Sequence, residues 1–287
     1  MLFKMNRTVQ NTHAHARIDG VVPGLRGQRA FPIPQLRTFD PFVMLDHIGP
    51  QMVGADYFVD GANSAHPHRG FETITFMFEG VMQHVDSMGN RATLHSASVQ
   101  RMNAGRGIQH GGDFAADPIS GRFHEVQLWV NLPAAHKWSE PEIQNVAAQH
   151  IPVVQQGSAK LRVIAGELLN QKGPITTTAN IAVVHLASAT RQTVRIPGIP
   201  KHYNALAYVL EGRAQAGATM VPAFHSAVFH NDGDAIVLEL EGEVLLIAGQ
   251  PIGEPVVMGG PFVMNTTEEI DQAYLDFKAG KFGTIEP

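Results

Sequence analysis

The sequence predicts an all-β protein made of two copies of one small β-barrel domain. Short runs of alternating apolar and polar residues recur along its 287 residues, and 28 glycines and 18 prolines are spread between them as turn residues. A run that ends in Glu79-Gly80 is matched by a run that ends in Glu211-Gly212, 132 residues later (212 minus 80). A repeat of this length indicates two domains, because solenoid repeats are much shorter.

Composition narrows the classes of function. The net charge is -5 and no basic block occurs, so we expect no direct binding to nucleic acid. Cysteine is absent, which excludes disulfides, thiolate metal sites and cysteine nucleophiles. The longest apolar runs, such as residues 205–210, have the length of a strand rather than of a membrane span. We therefore expect a soluble, cytoplasmic protein whose metal ligands, if any, are His, Asp, Glu or water.

Two histidines stand at the entrance to the first alternating run. His66 and His68 are two residues apart, and the side-chain period of a strand would place both on one side of a sheet. His110 follows 42 residues after His68 (110 minus 68), behind the tight turn Gly105-Arg106-Gly107. Neutral imidazoles bind Zn, Fe, Cu, Mn or Ni, so this pattern predicts a mononuclear metal site. The pair alone fits ordinary half-buried histidines equally well, whereas its combination with His110 is more specific.

The second copy of the repeat has no counterpart of these ligands. With the offset of 132 residues, the positions of the three histidines fall on Gly198, Pro200 and Gly242. The sequence therefore predicts a metal site in the first domain only. We place the boundaries at residues 1–140 for the domain with the metal site and 141–287 for the metal-free domain with a C-terminal helix.

The helix is predicted from a change of period near the end of the chain. Thr266 and Glu269 have the spacing of a capping box. Four apolar residues then recur at helical spacing on one face: Ile270, Ala273, Tyr274 and Phe277. Gly280 is expected to end the helix, which would dock its apolar face on a barrel.

Several stretches together resemble the pirin family of the cupin superfamily. These are residues 66–73 (HPHRGFET) and 102–110 (MNAGRGIQH), followed by 127–132, 247–251 and 260–266. The resemblance implies two tandem cupin β-barrels of the jelly-roll type, with a metal in the N-terminal one only. The metal is usually Fe(II), although Zn, Mn, Ni or Cu could take its place. The family's three metal-binding histidines fall on His66, His68 and His110.

The sequence departs from the family at the fourth ligand. The family has a glutamate two positions after the last histidine, and here that position is Gly112. Asp113 could swing in, because the glycines before it permit an unusual backbone path. Glu125 could reach from a neighbouring strand if the face that it shares with Gln127 and Trp129 points inward. Otherwise a water fills the position, or the site binds metal weakly or not at all.

We favour three histidines plus water, with Asp113 as the next candidate ligand. Glu72, which begins the alternating run, is expected to support the site from the strand edge rather than to bind metal.

The resemblance implies a metal-dependent dioxygenase of the quercetin 2,3-dioxygenase type. In that reaction a flavonol loses a proton, binds the metal through its oxygens and reacts with O2, which opens the central ring and releases carbon monoxide. A base near the metal is needed, and the family's glutamate is missing here. Our hypothesis is a dioxygenase with a compromised or relocated base, acting on a small aromatic substrate such as a flavonol.

Two further hypotheses stay open. Pirin-like proteins are also described as regulators that bind a transcription factor or a metabolic enzyme, and a regulatory surface needs no catalytic base. A scaffold or small-molecule binder with a decayed metal site is the third. A monomer is the default expectation for the family.

Overall fold

The computed structural model describes residues 5–61 and 64–285 and confirms the all-β class. The first strands in chain order are β1 Val9–Ala14, β2 Ala16–Asp19, β3 Arg26–Phe31, β4 Phe42–Met52, β5 Phe58–Val59, β6 His66–His68, β7 Phe71–Glu79, β8 Val81–Asp86, β9 Arg91–Leu94, β10 Ser98–Asn103, β11 Ile108–Gly111, β12 Phe114–Ala115 and β13 Arg122–Asn131. The later strands are β14 Glu142–Val146, β15 Val153–Gln156, β16 Ala159–Ala165, β17 Glu167–Leu168, β18 Gln171–Lys172, β19 Ile181–Pro197, β20 Asn204–Ala216, β21 Thr219–Pro222, β22 His225–Phe229, β23 Ala235–Gly249, β24 Val257–Gly259 and β25 Phe262–Met264. Helix α1 spans Thr267–Lys278, and two single 3-10 turns span Ala134–His136 and Ala148–His150.

The chain divides into two compact units. The first, which we call the histidine unit, contains Ile18–Gly27, Phe42–Ala148 and the segment that begins at Ile252. The second, which we call the apolar unit, contains the segment that ends at Arg17, Gln28–Pro41 and Gln149–Pro251. The three largest sheets have the orders β14-β10-β7-β13-β4-β3-β2, β5-β12-β8-β11-β6 and β1-β22-β20-β23-β19-β16-β15. In addition, β9 pairs with β8 and β21 with β20, and β17-β18 and β24-β25 form two-stranded sheets.

This division differs from a single boundary between residues 140 and 141. The N-terminal strand β1 pairs antiparallel with β22, so the start of the chain joins the apolar unit. The C-terminal segment joins the histidine unit, where Asp276 of α1 lies 2.8 Å from Arg69. Strand pairing and ion pairs between distant segments decide to which unit each end of the chain belongs. A single boundary along the sequence cannot represent such contacts.

Strand β7 begins three residues after His68 and lies in the middle of its sheet, between β10 and β13. The sequence suggests one apolar face, with Ile74 and Phe76 alternating with Thr73 and Thr75. All four side chains are buried. Both faces of β7 are therefore covered, and the polar face looks into the protein instead of into solvent.

The apolar unit contains a large cluster of buried apolar side chains. Its long strands β19, β20 and β23 change register near their midpoints, at Ser188/Gln192 and Val209/Glu211. Such irregularities bend a strand, which lets apolar residues from both of its halves point toward one interior. The core cluster that results contains 24 buried aliphatic and aromatic residues, among them Val184, Ala207 and Leu246. Apolar side chains therefore fill the interior of this unit.

The C-terminal helix forms as the sequence predicts. Thr266 is the N-cap and forms a capping box with Glu269. Ile270 and Ala273 are buried, and Gly280 follows the helix with a positive φ of 74°, the conformation that commonly ends a helix. The helix has 12 residues, and no helix within residues 5–61 and 64–285 combines the length and the apolar character needed to cross a membrane.

Candidate metal centre

The three predicted histidines meet on two adjacent strands. β6 and β11 pair antiparallel, with His110 directly opposite His66 and Ile108 opposite His68. Residues opposite each other on a sheet share a face, so the register directs His110 to the side from which His66 and His68 project. One ring nitrogen of each histidine lies within 4.8 Å of the others. The pattern of two histidines and a third behind a turn thus becomes a three-imidazole cluster.

Hydrogen bonds orient two of the rings. The Nδ1 atom of His66 lies 2.7 Å from the carbonyl oxygen of Ser64, and the Nδ1 atom of His68 lies 3.1 Å from that of Pro261. A carbonyl oxygen can only accept, so both Nδ1 atoms carry the proton and both Nε2 atoms present lone pairs. Those two Nε2 atoms are 3.1 Å apart. Two facing lone pairs repel each other unless a cation lies between them.

The third ring has a buried nitrogen that no described residue satisfies. The Nε2 atom of His110 has no hydrogen-bond partner among residues 5–61 and 64–285. Burial and the neighbouring histidines lower the pKa of His110 well below its ordinary value. Burial, followed by His66, lowers the pKa of His68 to about 3, and burial lowers the pKa of His66. All three imidazoles are thus neutral at pH 7, the form that binds metal.

These observations fit a divalent metal ion. Three neutral nitrogen donors converge, two of them are oriented by carbonyl oxygens, and the third would otherwise be an unsatisfied buried polar atom. Imidazole donors suit Fe(II), Zn, Ni and Cu.

The fourth predicted candidate does not join the cluster. Asp113 is not among the residues whose ligand atoms converge, and its Oδ1 atom accepts a hydrogen bond of 2.7 Å from the backbone N–H of Gly61. Gly112 has a φ of +149°, and a Cβ atom added there would overlap the carbonyl oxygen of Gln83. The backbone at position 112 is therefore shaped for glycine and leaves no room for an acidic side chain.

Glu72 takes part in an ion pair instead of facing the histidines. Its Oε1 atom accepts hydrogen bonds from Nε and Nη2 of Arg101, at 3.0 and 2.5 Å. Arg101 also bonds to Glu142 at 2.8 Å. The ion pair of Glu72 with Arg101 links β7 to β10.

A fourth histidine, which the sequence pattern did not predict, lies near the cluster. His84 on β8 has its ring centroid 5.4 Å from that of His110, and its Nε2 atom lies 3.2 Å from Asp86. Because β11 pairs with both β6 and β8, His84 is brought near His110. In the sequence, the spacing of His84 and Asp86 indicates only that both side chains project from one face of β8. The pairing of β8 with β11 shows that His84 lies near His110.

A cavity of about 380 Å³ adjoins the histidines. Its lining includes His66 and His110 together with polar side chains of the seven-stranded sheet, among them the buried Asp46, Gln100 and Glu125 and the half-buried Gln127. Apolar side chains form the remaining wall, including Val22, Ile48, Met82 and Phe114. Its volume lies at the lower end of the range for small-molecule sites. The face that carries Glu125 and Gln127 does point inward.

A buried lysine forms hydrogen bonds to backbone carbonyls next to the cluster. Lys137 is fully buried, and its Nζ atom donates to the carbonyl oxygens of Gly70 and Val263, at 2.7 and 2.9 Å, and to Asn131 at 2.7 Å. Burial lowers the pKa of Lys137 to about 8, so it remains largely charged at neutral pH. Val263 belongs to the segment that supplies the Pro261 carbonyl to His68.

We expect Lys137→Met to lower the free energy of unfolding by about 3 kcal/mol, because three buried acceptors lose their donor. Chemical denaturation would measure the change. Lys278→Met, on the exposed surface of α1, serves as the control and is expected to change stability by less than about 0.5 kcal/mol. Equal stability of both variants would show that Lys137 does not anchor this segment.

Fold and site together define a two-domain cupin protein whose three-histidine cluster lies in one domain. Two family models match the chain: Pirin over residues 24–130 and the Pirin C-terminal cupin domain over residues 182–283. A pirin-like protein of Solanum lycopersicum is 36% identical over 281 residues, which cover 96% of this chain and 92% of that protein. The chain belongs to the pirin family.

Solved structures share the fold of this chain. The crystal structure of quercetin 2,3-dioxygenase from Acinetobacter baumannii is 30% identical with a TM-score of 0.84, and the match covers 98% of this chain and 100% of that one. A bacterial pirin from Escherichia coli, solved in complex with nickel(II), shares the fold with a TM-score of 0.63 at 16% identity, over 84% of this chain and 99% of that one.

Proposed function

We propose that this protein is a metal-dependent dioxygenase of the quercetin 2,3-dioxygenase type, with a flavonol or a related small aromatic compound and O2 as substrates. The observation that carries the proposal is the convergence of three neutral imidazoles beside a cavity of about 380 Å³. The similarity of the whole chain to a quercetin 2,3-dioxygenase supports the choice of reaction.

We assign the metal to His66, His68 and His110, with Fe(II) as the first choice and Zn, Mn, Ni or Cu as other divalent candidates. A bound metal would supply a Lewis acid with coordination positions left for oxygen donors. Asp113 is left out of the ligand set, because its carboxylate is already bonded to the backbone of Gly61.

The chain's own residues would bind and orient the substrate. Apolar side chains such as Val22, Met82 and Phe114 offer contacts to an aromatic ring system and exclude water. Gln100 and Gln127, which also line the cavity, offer amide groups to substrate oxygens. This lining suits a planar molecule that places its oxygen atoms near the histidines and its rings against the apolar side chains.

Oxygen consumption tests the proposal. The protein would be purified without air, loaded with Fe(II), and mixed with quercetin in an oxygen electrode, with carbon monoxide measured in parallel. We expect oxygen uptake and carbon monoxide release in equal amounts, and neither with His110→Ala. No uptake by iron-loaded wild-type protein that contains stoichiometric metal would overturn the proposal and favour the regulatory hypothesis.

A further inference from the structure

Three acidic side chains of the histidine unit are engaged in other contacts. Glu72 is paired with Arg101, and Asp113 is bonded to the backbone of Gly61. Asp86 accepts hydrogen bonds from Asn90 and from the backbone of Met88. None of these carboxylates is placed to take a proton from a molecule in the cavity.

Glu125 differs from all of them. It lines the cavity, is only 4% exposed, and no side chain among residues 5–61 and 64–285 donates a hydrogen bond to its carboxylate. A buried carboxylate without a donor is costly unless it is neutral or binds a ligand. Glu125 lines the space that a substrate would fill, where a substrate hydroxyl could donate to its carboxylate.

The backbone directs Glu125 into that space. On β13 the pairing with β4 shifts register between Phe123 and Glu125, and the pairing with β7 shifts between His124 and Glu125. A bulge of this kind redirects the side chain next to it, and bulges are frequent beside active sites. The pairing of β13 with both neighbouring strands is therefore irregular at Glu125, the residue that lines the cavity.

We propose that Glu125 is the proton acceptor of this site and takes the proton of an acidic hydroxyl on a substrate held between the histidines and the apolar wall. The inference rests on the proposed function, for which it names the missing base. It also defines the substrate class: an aromatic compound with an enolic or phenolic hydroxyl.

The proton transfer involves only the substrate hydroxyl and the Glu125 carboxylate. The O–H bond of the substrate breaks, a new O–H bond forms on the Glu125 carboxylate, and the substrate oxygen keeps the electron pair as an anion. Burial, followed by the nearby Asp46, raises the pKa of Glu125 to about 7. A general base works best when its pKa lies near the working pH. No electron is transferred in this step.

The absorption spectrum of bound quercetin tests the inference, because an ionised flavonol absorbs at longer wavelength than a neutral one. Wild-type protein, Glu125→Gln and the control Glu268→Gln, an exposed residue on α1, would be titrated with quercetin without oxygen, with and without Fe(II). We expect the long-wavelength band with wild type and the control and its loss with Glu125→Gln. In oxygen, we expect Glu125→Gln to lower kcat by about 100-fold or more at unchanged metal content.

The outcomes separate the inference from the proposed function. If Glu125→Gln gives the same band and the same turnover as wild type, the inference is wrong and the dioxygenase proposal stands. If wild type ionises quercetin but consumes no oxygen, and only Glu125→Gln loses the band, the inference holds and the dioxygenase proposal fails. If wild-type protein gives no long-wavelength band, the inference is overturned.

Discussion

Replacing His110 with alanine is expected to remove nearly all bound metal. His110 supplies one of three converging nitrogen atoms, and the two remaining imidazoles could bind an ion only weakly, at a cost of at least about 10–100-fold in metal affinity. The measurement is metal content by mass spectrometry on protein prepared with Fe(II) and without air.

His95→Ala is the matched control, since His95 is an exposed histidine of the same unit. It should retain one metal ion per chain, as wild type does. Equal metal content in His110→Ala and wild type would place the metal elsewhere and contradict the three-histidine assignment. Absence of metal from wild type as well would show that the cluster does not hold an ion without a fourth protein ligand.

Restoring an acidic residue at position 112 is expected to damage the fold rather than to improve the site. Gly112→Glu would place its Cβ atom on the carbonyl oxygen of Gln83, at a φ that side chains rarely adopt. We expect a loss of about 3 kcal/mol or more in the free energy of unfolding, and no gain in metal binding. Denaturant unfolding and metal content would be measured on the same preparations.

Two alanine variants separate the causes of that loss. Gly89→Ala also has a positive φ, of 83°, but a Cβ atom there meets no neighbour within 4 Å. It should cost only about 1 kcal/mol, the penalty of the backbone conformation. Gly112→Ala carries the overlap as well and should cost clearly more. If Gly112→Glu were as stable as wild type and bound metal more tightly, the backbone would have adjusted and the family's ligand would be recovered.

The sequence alone determined the features that depend on local rules. The all-β class follows from alternating runs and turn residues, and α1 follows from its capping box and apolar spacing. The projection of His66 and His68 from one side follows from the two-residue period of a strand, and β6 confirms that strand. The lack of histidines at the equivalent positions of the second repeat could likewise be read directly.

Only the tertiary structure decided which distant residues complete the site. The register of β6 against β11 sets His110 opposite His66, and a carbonyl from Pro261, 193 residues away, orients His68. Asp276 of α1 is buried against Arg69, which is 207 residues away in the chain. The inward aim of Glu125 depends on a bulge shared with two neighbouring strands. Periodicity describes each segment by itself, whereas strand register, bulges and buried ion pairs arise only when segments far apart in the chain pack against each other.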